Sequence, residues 1–448
     1  MEKQRYERPI LKKLEMGMPG KFGIAANLPP TTHIDGISVD SLVGTYGSPV
    51  FILSEKTIRS VFKKAKKAFT TRYPKVQFAW SYKTNYLNAV CRIYHQEGSW
   101  AEVVSGFEYD KAISNGVEGQ HIIFNGPDKS ALYLEKAIRN DSIIHIDHLD
   151  ELYTIIELTE KCAKRPKVAI RVNMDTGIQP MWDRFGFNYE NGQAWDALNK
   201  IMHSGKLELV GLHTHIGTFI MSPQAYGVAA QKLADLTIGI RQKYNHTIKY
   251  IDLGGGFASA NTLKGFYYPG SDTNPSFDDY AEAITSALLN TQFTPDNLPL
   301  LILETGRALV DEAGYLLGTV IANKRLSTGK RTTIVDIGIN LLFTSFWYEH
   351  KLTPARHYSQ YTEATTVYGP LCMNIDVIRE NVSLPLLNKG DHFVIHHVGA
   401  YNMTQWMQFI TLRPKIVLID QNGKAHVIRD NETMDNVMSM EHLPPHLK

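Results

Sequence analysis

Four short stretches of the sequence carry residues able to do chemistry on a small molecule. Lys83 closes the run WSYK, Gly254, Gly255 and Gly256 follow KYIDL directly, Glu304, Gly306 and Arg307 close LLILETGR, and Cys372 lies in YGPLCMNID. Bare backbone N–H groups at a turn after a strand can approach a phosphate closely, although a triple glycine alone is more often only a tight turn. Arg307, at the end of the next apolar run, supplies a charge able to pair with the same phosphate. Lys83 alone reads as a solvated residue. Beside a phosphate cradle and a carboxylate it becomes an amine able to form a Schiff base.

A lysine, a phosphate cradle and a carboxylate are the parts that hold and tune a pyridoxal ring. His213 and His215 share one face of their run, because side chains alternate with period two. That pair admits three readings: metal ligands, a structural pair, or an aromatic face stacked on a cofactor ring. Barrel hydrolases with His-x-His pairs need further histidines and a late aspartate, where this chain offers Glu304. Cys372, by position alone, reads as a small buried hydrophobe.

These residues must be brought together by regular elements. Between residues 75 and 305, eight β-branched or aromatic runs alternate with longer helical stretches: VQFAWSYK, WAEVV, HIIFN, SIIHID, KVAIRVN, ELVGLHTH, KYIDLGGG and LLILETG. The alternation is that of a parallel sheet with crossover helices, and eight strands close a barrel. Chemistry in such a barrel lies at the carboxyl ends of its strands. There the sequence places Lys83, Glu102, Asn125, Asp147, Arg171, His215, the glycines 254–256, Glu304 and Arg307. After about residue 311 the helical period fades into short runs such as RTTIVDI and DHFVIHHV, which predict an all-β module. The expected architecture is a (β/α)₈ TIM-like barrel over 49–310 followed by a C-terminal β domain over 311–448. Residues 1–48 form an N-terminal extension, and the stretch from Thr32 to Leu53 is able to lend a strand to the β domain.

Composition narrows the function. Lys and Arg number 47 against 45 Asp and Glu, a net charge of +2, which gives no electrostatic case for nucleic acid. Local basic clusters, Lys63, Lys64, Lys66 and Lys67, and Lys324, Arg325, Lys330 and Arg331, read as solvated faces. The amino terminus lacks the apolar block of a secretory signal, and no run approaches membrane-spanning length. Three widely spaced cysteines, Cys91, Cys162 and Cys372, argue against a disulfide framework. A cytoplasmic protein that binds neither nucleic acid nor membrane is the expectation.

With these residues in view, the chain resembles the fold-type III pyridoxal-phosphate enzymes, which share the alanine racemase-like fold and include diaminopimelate, ornithine and arginine decarboxylases. The resemblance runs from about Pro49 to Pro414 and rests on YKTN, AEVVSGFE, HTHIGT, IDLGGGF, ETGR, GPLC..D and GAY in the family's order. It implies that Lys83 carries pyridoxal 5'-phosphate, that His215 stacks on the ring, and that Gly254 to Gly256, Gly306 and Arg307 hold the phosphate. Glu304 would bind the ring nitrogen, and Cys372 would reach into the partner's site of a homodimer to act near Cα. Arg307, Tyr348, Met373 and Tyr401 would contact the substrate, and Tyr401 the cofactor as well. No metal is implied.

The carboxylate at Glu304 supports decarboxylation on physical grounds, because it keeps the ring protonated and able to absorb the electron pair left by departing CO₂. Alanine racemases carry an arginine there. The chain departs from diaminopimelate decarboxylases at Met373, where a glutamate reads the distal amine, and at Thr344, where an arginine reads the distal carboxylate. Ornithine decarboxylases carry an aspartate beside the cysteine. A buried ligand charge without a partner costs several kcal/mol, so the usual recognition of these substrates is not expected. Glu349 and His350 offer a further contact for a distal amine or a surface role. Smaller departures are Glu102 for aspartate, Thr305 for proline and FITLRP after GAY. The expected activity is α-decarboxylation of an amino acid with altered distal recognition. The alternatives are diaminopimelate decarboxylase proper, a non-catalytic regulatory homologue, a racemase and a metal-dependent hydrolase.

Overall fold

Eight parallel strands close on themselves in a computed structural model that describes residues 29–266, 268–291, 293–358 and 361–447. They are Val76–Ser81, Trp100–Val103, Ile122–Phe124, Ile143–Ile146, Lys167–Asn173, Glu208–His213, Tyr250–Asp252 and Leu300–Leu303. Leu301 pairs with Val76 to complete the ring, and Glu208–His213 pairs with the strands on both sides. All eight expected runs are barrel strands. A two-residue strand that the sequence did not announce, Phe187–Asn188, extends the fifth strand's pairing at Val172 and Asn173.

Every strand contributes to an apolar layer inside the barrel, the eighth with both Ile302 and the half-buried Leu300. Ala79, Ile123, Ile143, Ala169, Val210, Tyr250 and Ile302 form the layer, with Trp100 half-buried at its edge. The main core lies outside, between strands and helices. Helix Glu55–Thr70 shows why: Ile58, Val61, Phe62, Ala65, Ala68 and Phe69 recur at helical spacing and are buried. Burying each large member contributes roughly 1.5–3 kcal/mol. Ser54 caps the helix by accepting from the Thr57 N–H, and Lys63, Lys64, Lys66 and Lys67 lie exposed on the other face, as read. In the second basic cluster Lys324 and Arg325 are exposed, as read, and Arg331 differs. Arg331 is buried and donates to the carbonyls of Leu384 and Pro385, because its strand is covered by neighbours on both sides.

The second sheet is built on the long strand Gly314–Arg325, which pairs with Val50–Ser54, His392–His396 and Arg331–Val335. Val50–Ser54 also pairs with Ile416–Ile419. It therefore belongs to the β-rich unit although it lies beyond residue 48, and on this pairing we propose that the division falls after Ser54. It is the strand expected from the stretch Thr32 to Leu53, and its five residues are all buried. The two units meet at the Lys83 loop: Tyr401 N–H donates to Thr84 C=O, Thr404 Oγ1 to Lys83 C=O, and Asn85 Nδ2 to Gly399 C=O. Residues 1–28, most of the N-terminal extension, lie outside the described residues.

Candidate active site

The first strand ends in a short turn, Tyr82–Thr84, that delivers Lys83 to the carboxyl end of the barrel. Its Nζ lies 2.8 Å from Glu102 Oε2, which projects from the next strand. Burial would depress the Lys83 ammonium, but Glu102 and then Glu304 outweigh it and hold it well above the ordinary lysine range. Asn125 at the end of the third strand links the two carboxylates, donating to Glu304 Oε1 at 2.5 Å and Glu102 Oε1 at 3.2 Å.

Below this tier the barrel is polar. His213 Nε2 is 3.4 Å from Glu304 Oε2, and His145 lies against His213 with ring centroids 4.6 Å apart. Burial, then Arg171, keeps His213 well below its usual pKa; burial, then His213, does the same for His145. Burial and the adjacent Glu304 push the Asp252 carboxyl well above the carboxylate range, and its Oδ1 accepts the Gly254 N–H at 2.8 Å. His145, His213, Asp252 and Glu304 offer atoms within 4.8 Å of one another, a geometry a metal ion could use. Arg171, Lys83 and Lys129 bear on His213 as cations and Glu102 as an anion, and His213 and Asp252 both lie against Glu304.

His213 and His215 do not converge. His215, past the strand end, enters a cavity of about 470 Å³ lined also by Lys83, Arg307, Tyr348 and Tyr401. Its Nδ1 accepts the Gly255 N–H at 3.1 Å. Burial, then Arg171, keeps the ring neutral, so the remaining proton sits on Nε2. A larger groove of about 920 Å³ past Lys64, Arg72 and Asn274 holds none of these residues.

The glycine run is a backbone cradle. Gly256 sits at φ +96°, and a Cβ there would lie 2.2 Å from Gly217 O; at Gly255 one would lie 2.6 Å from Glu304 O. The N–H of Gly254 is taken by Asp252 and that of Gly255 by His215, which narrows the anion-facing donors of this run to Gly256. Gly306 approaches Thr84 as closely, with a Cβ 2.1 Å from Thr84 Oγ1. Arg307 opens the next helical turn, its Nη2 3.3 Å from Thr218 Oγ1 and its guanidinium 4.5 Å from the Tyr401 ring centroid. Arg307 Nη1 is buried without a hydrogen-bond partner. An orphaned guanidinium N–H beside a glycine cradle suits a phosphate, and a lysine and a buried carboxylate on the same floor suit an aldehyde and a ring nitrogen. The residues present fit pyridoxal phosphate.

Tyr401 takes a left-handed φ of +64°, held by its bond to Thr84, which turns its ring onto Arg307. Cys372 and Met373 are not brought to this cavity; Cys372 is exposed in the loop before Val377–Leu384. Thr344 does line the cavity. Glu349 and His350 do not: Glu349 lies 3.3 Å from Arg379, and His350 is buried against Thr344 Oγ1 at 2.8 Å. Trp347 and Tyr348, just past the short helical turn Phe343–Phe346, face the cavity, whereas Glu349 and His350 turn away from it. Trp182, Phe219, Leu263, Trp347 and Gln405 line the cavity without having been singled out from sequence. Aromatic residues in strand-end loops were the available signal.

The family model for the pyridoxal binding domain of pyridoxal-dependent decarboxylases matches residues 55–311. The diaminopimelate decarboxylase of Bacillus subtilis (strain 168) is 27% identical over 425 residues, covering 91% of this chain and 94% of the relative. That of Methanocaldococcus jannaschii is 28% identical over 432 residues, covering 92% and 95%. The crystal structure of the M. jannaschii enzyme in co-complex with L-lysine superposes with a TM-score of 0.84 at 28% identity, over 93% of this chain and 97% of that one.

Proposed function

The chain belongs to the pyridoxal-dependent decarboxylases, and from that premise we propose how its own side chains divide the work of α-decarboxylating an amino acid. Pyridoxal phosphate supplies, when bound, an electron sink for the pair left at Cα as CO₂ departs. One observation carries the assignment of residues: Lys83 and Arg307 enter one cavity from adjacent strand ends while Glu304 stands under it, tied through Asn125 and Glu102 to Lys83.

Lys83 Nζ would be the covalent attachment point, and Glu102 Oε2, 2.8 Å away, positions it as an ammonium that must lose its proton before attachment. Arg307 Nη1, Gly306 and the Gly256 N–H hold the phosphate. His215, neutral and fixed by Gly255, would offer its face to the ring. Glu304 would face the ring nitrogen and favour its protonated form, with Asp252 packed beside it. Tyr401 and Tyr348 flank the substrate beside Arg307.

Cys372 Sγ returns a proton to Cα, and Met373 borders the substrate, in the site of a second copy, since the same chain's cavity contains neither. The working unit is then a homodimer with shared sites, placed in the cytoplasm. No helix among the described residues is long and apolar enough to cross a membrane. The relatives' name points to diaminopimelate, but the position that reads a distal carboxylate is Thr344, already bonded to His350 and Asn402.

The test is CO₂ release by the purified protein with added pyridoxal phosphate, against meso-diaminopimelate and both enantiomers of lysine, ornithine and arginine, with Lys83→Ala as control. Release from any of these that vanishes in the control supports the assignment. Turnover of meso-diaminopimelate at a rate above the others would return the distal recognition to that of the relatives.

A further inference from the structure

The walls of the cavity carry no carboxylate. Trp182, Phe219, Leu263, Trp347 and Tyr348 line it, with Thr218 and Gln405 as hydrogen-bonding groups and Thr344 already bonded to His350 and Asn402. Its charged side chains are Lys83 and Arg307, and the reading above commits both to the cofactor; the present inference rests on that reading. His215 is kept neutral by burial.

The arm at Cys372 adds no charge either. Cys372, Asn374 and Ile375 are exposed and Met373 is half-buried, while Asp376 turns inward to accept the N–H groups of Ile339 and Leu371 at 2.8 and 2.7 Å. Glu349, the nearest carboxylate in sequence to Tyr348, faces Arg379 instead. With Lys83 and Arg307 engaged by the cofactor, a distal ammonium would meet no side-chain carboxylate on the cavity walls, and a distal carboxylate would compete with the phosphate for Arg307. Burial of either charge without a partner is strongly unfavourable. Trp182 and Trp347 are 38% and 49% exposed, so their indoles remain available at the cavity mouth.

We propose that the substrate is an α-amino acid with an uncharged distal end, a flat amide, acyl or aromatic group held against Trp182 and Trp347. Such groups meet indole faces without losing hydration of a charge, and Thr218 and Gln405 can bond an amide.

The test uses the holoenzyme and two matched pairs, Nε-acetyl-L-lysine against L-lysine and L-glutamine against L-glutamate. Binding is followed by the change in cofactor absorbance and turnover by CO₂ release. The neutral member of each pair is expected to bind at least about tenfold more tightly. Trp347→Ala should shrink that preference several-fold while the cofactor band of the free enzyme persists. Equal or tighter binding of the charged members, or no absorbance change with either pair, overturns the proposal. An absorbance preference without CO₂ release from any compound would support the pocket assignment and fall on the decarboxylase reading instead.

Discussion

Asn125 Nδ2 donates to Glu304 Oε1 at 2.5 Å and reaches Glu102 Oε1 at 3.2 Å, so one amide spaces the carboxylate under the ring site from the one that pairs with Lys83. All three side chains are buried. Two carboxylates this close repel unless a donor stands between them. Asn125→Leu keeps the volume and removes the donor. It is expected to cost about 1–3 kcal/mol of stability in the cofactor-free protein and to weaken cofactor binding. Urea unfolding and cofactor titration read the two effects separately; a variant with the wild-type midpoint and affinity would show that the amide does not bridge.

The state of Lys83 sets a pH dependence for cofactor loading. Glu102 and Glu304 hold its ammonium above the ordinary lysine range despite burial, whereas attachment needs the free amine. Across neutral to alkaline pH, the rate of covalent attachment to apoprotein should rise about tenfold per pH unit without levelling below the ordinary lysine value. In the apoprotein the Lys83 contribution to stability has the opposite sense. It is fully present below the lysine value for an unfolded chain and is lost only as pH rises through the higher folded value. Glu102→Gln should lower the pH at which loading levels off, followed by stopped-flow absorbance. A loading rate independent of pH would remove Glu102 from this role.

The sequence announced the barrel strands because each is a short β-branched run ended by polar residues or glycine, with a helical stretch between. The members of the Lys83, Glu102, Asn125 and Glu304 network were legible as strand-end residues, yet their mutual bonds were not. Asn125 and Glu304 are 179 positions apart, and only closure of the ring sets them side by side. Val50–Ser54 was legible as a strand that the stretch from Thr32 to Leu53 could lend to the β-rich unit, but its partners were not, since they begin at Gly314 and Ile416. His145 read as part of an apolar run, and nothing local distinguishes an inward-facing histidine there from a core residue. Arg331 misled because a charged residue beside a Thr-Gly turn normally meets water.

The β-rich unit should respond to acid through three histidines. Burial lowers His350 and His396 to about 3 and His397 to about 4, with nearby Lys351 contributing at the last two. Folded values below the unfolded one mean that their stabilising contribution is intact above about pH 6.5 and is lost as pH falls toward the folded values. With all three taking up protons on unfolding, stability should fall by up to about 4 kcal/mol per pH unit below pH 6. His396→Asn, which can keep a bond to Thr353 or Thr31, should remove about a third of that slope. Guanidinium unfolding at a series of pH values checks it, and an unchanged slope would mean that His396 does not titrate with the transition.

Shared sites make a prediction that needs no substrate identity beyond one turned-over compound. Lys83 lines the cavity of its own chain, and Cys372 lies exposed on a loop that the same cavity does not include. If each site joins Lys83 of one copy to Cys372 of the other, Lys83→Ala and Cys372→Ala homodimers are both impaired, through different sites. Dissociated, mixed and reassociated, half of the dimers pair one variant with the other. In those, one site carries both substitutions and its mate carries neither. Activity should therefore return to about a quarter of the wild-type level. Sites built within one chain would give no recovery, since every cavity would still lack one of the two residues. Cofactor absorbance offers an independent count, because mixed dimers keep one lysine per pair whichever arrangement holds; the two arrangements differ in CO₂ release alone.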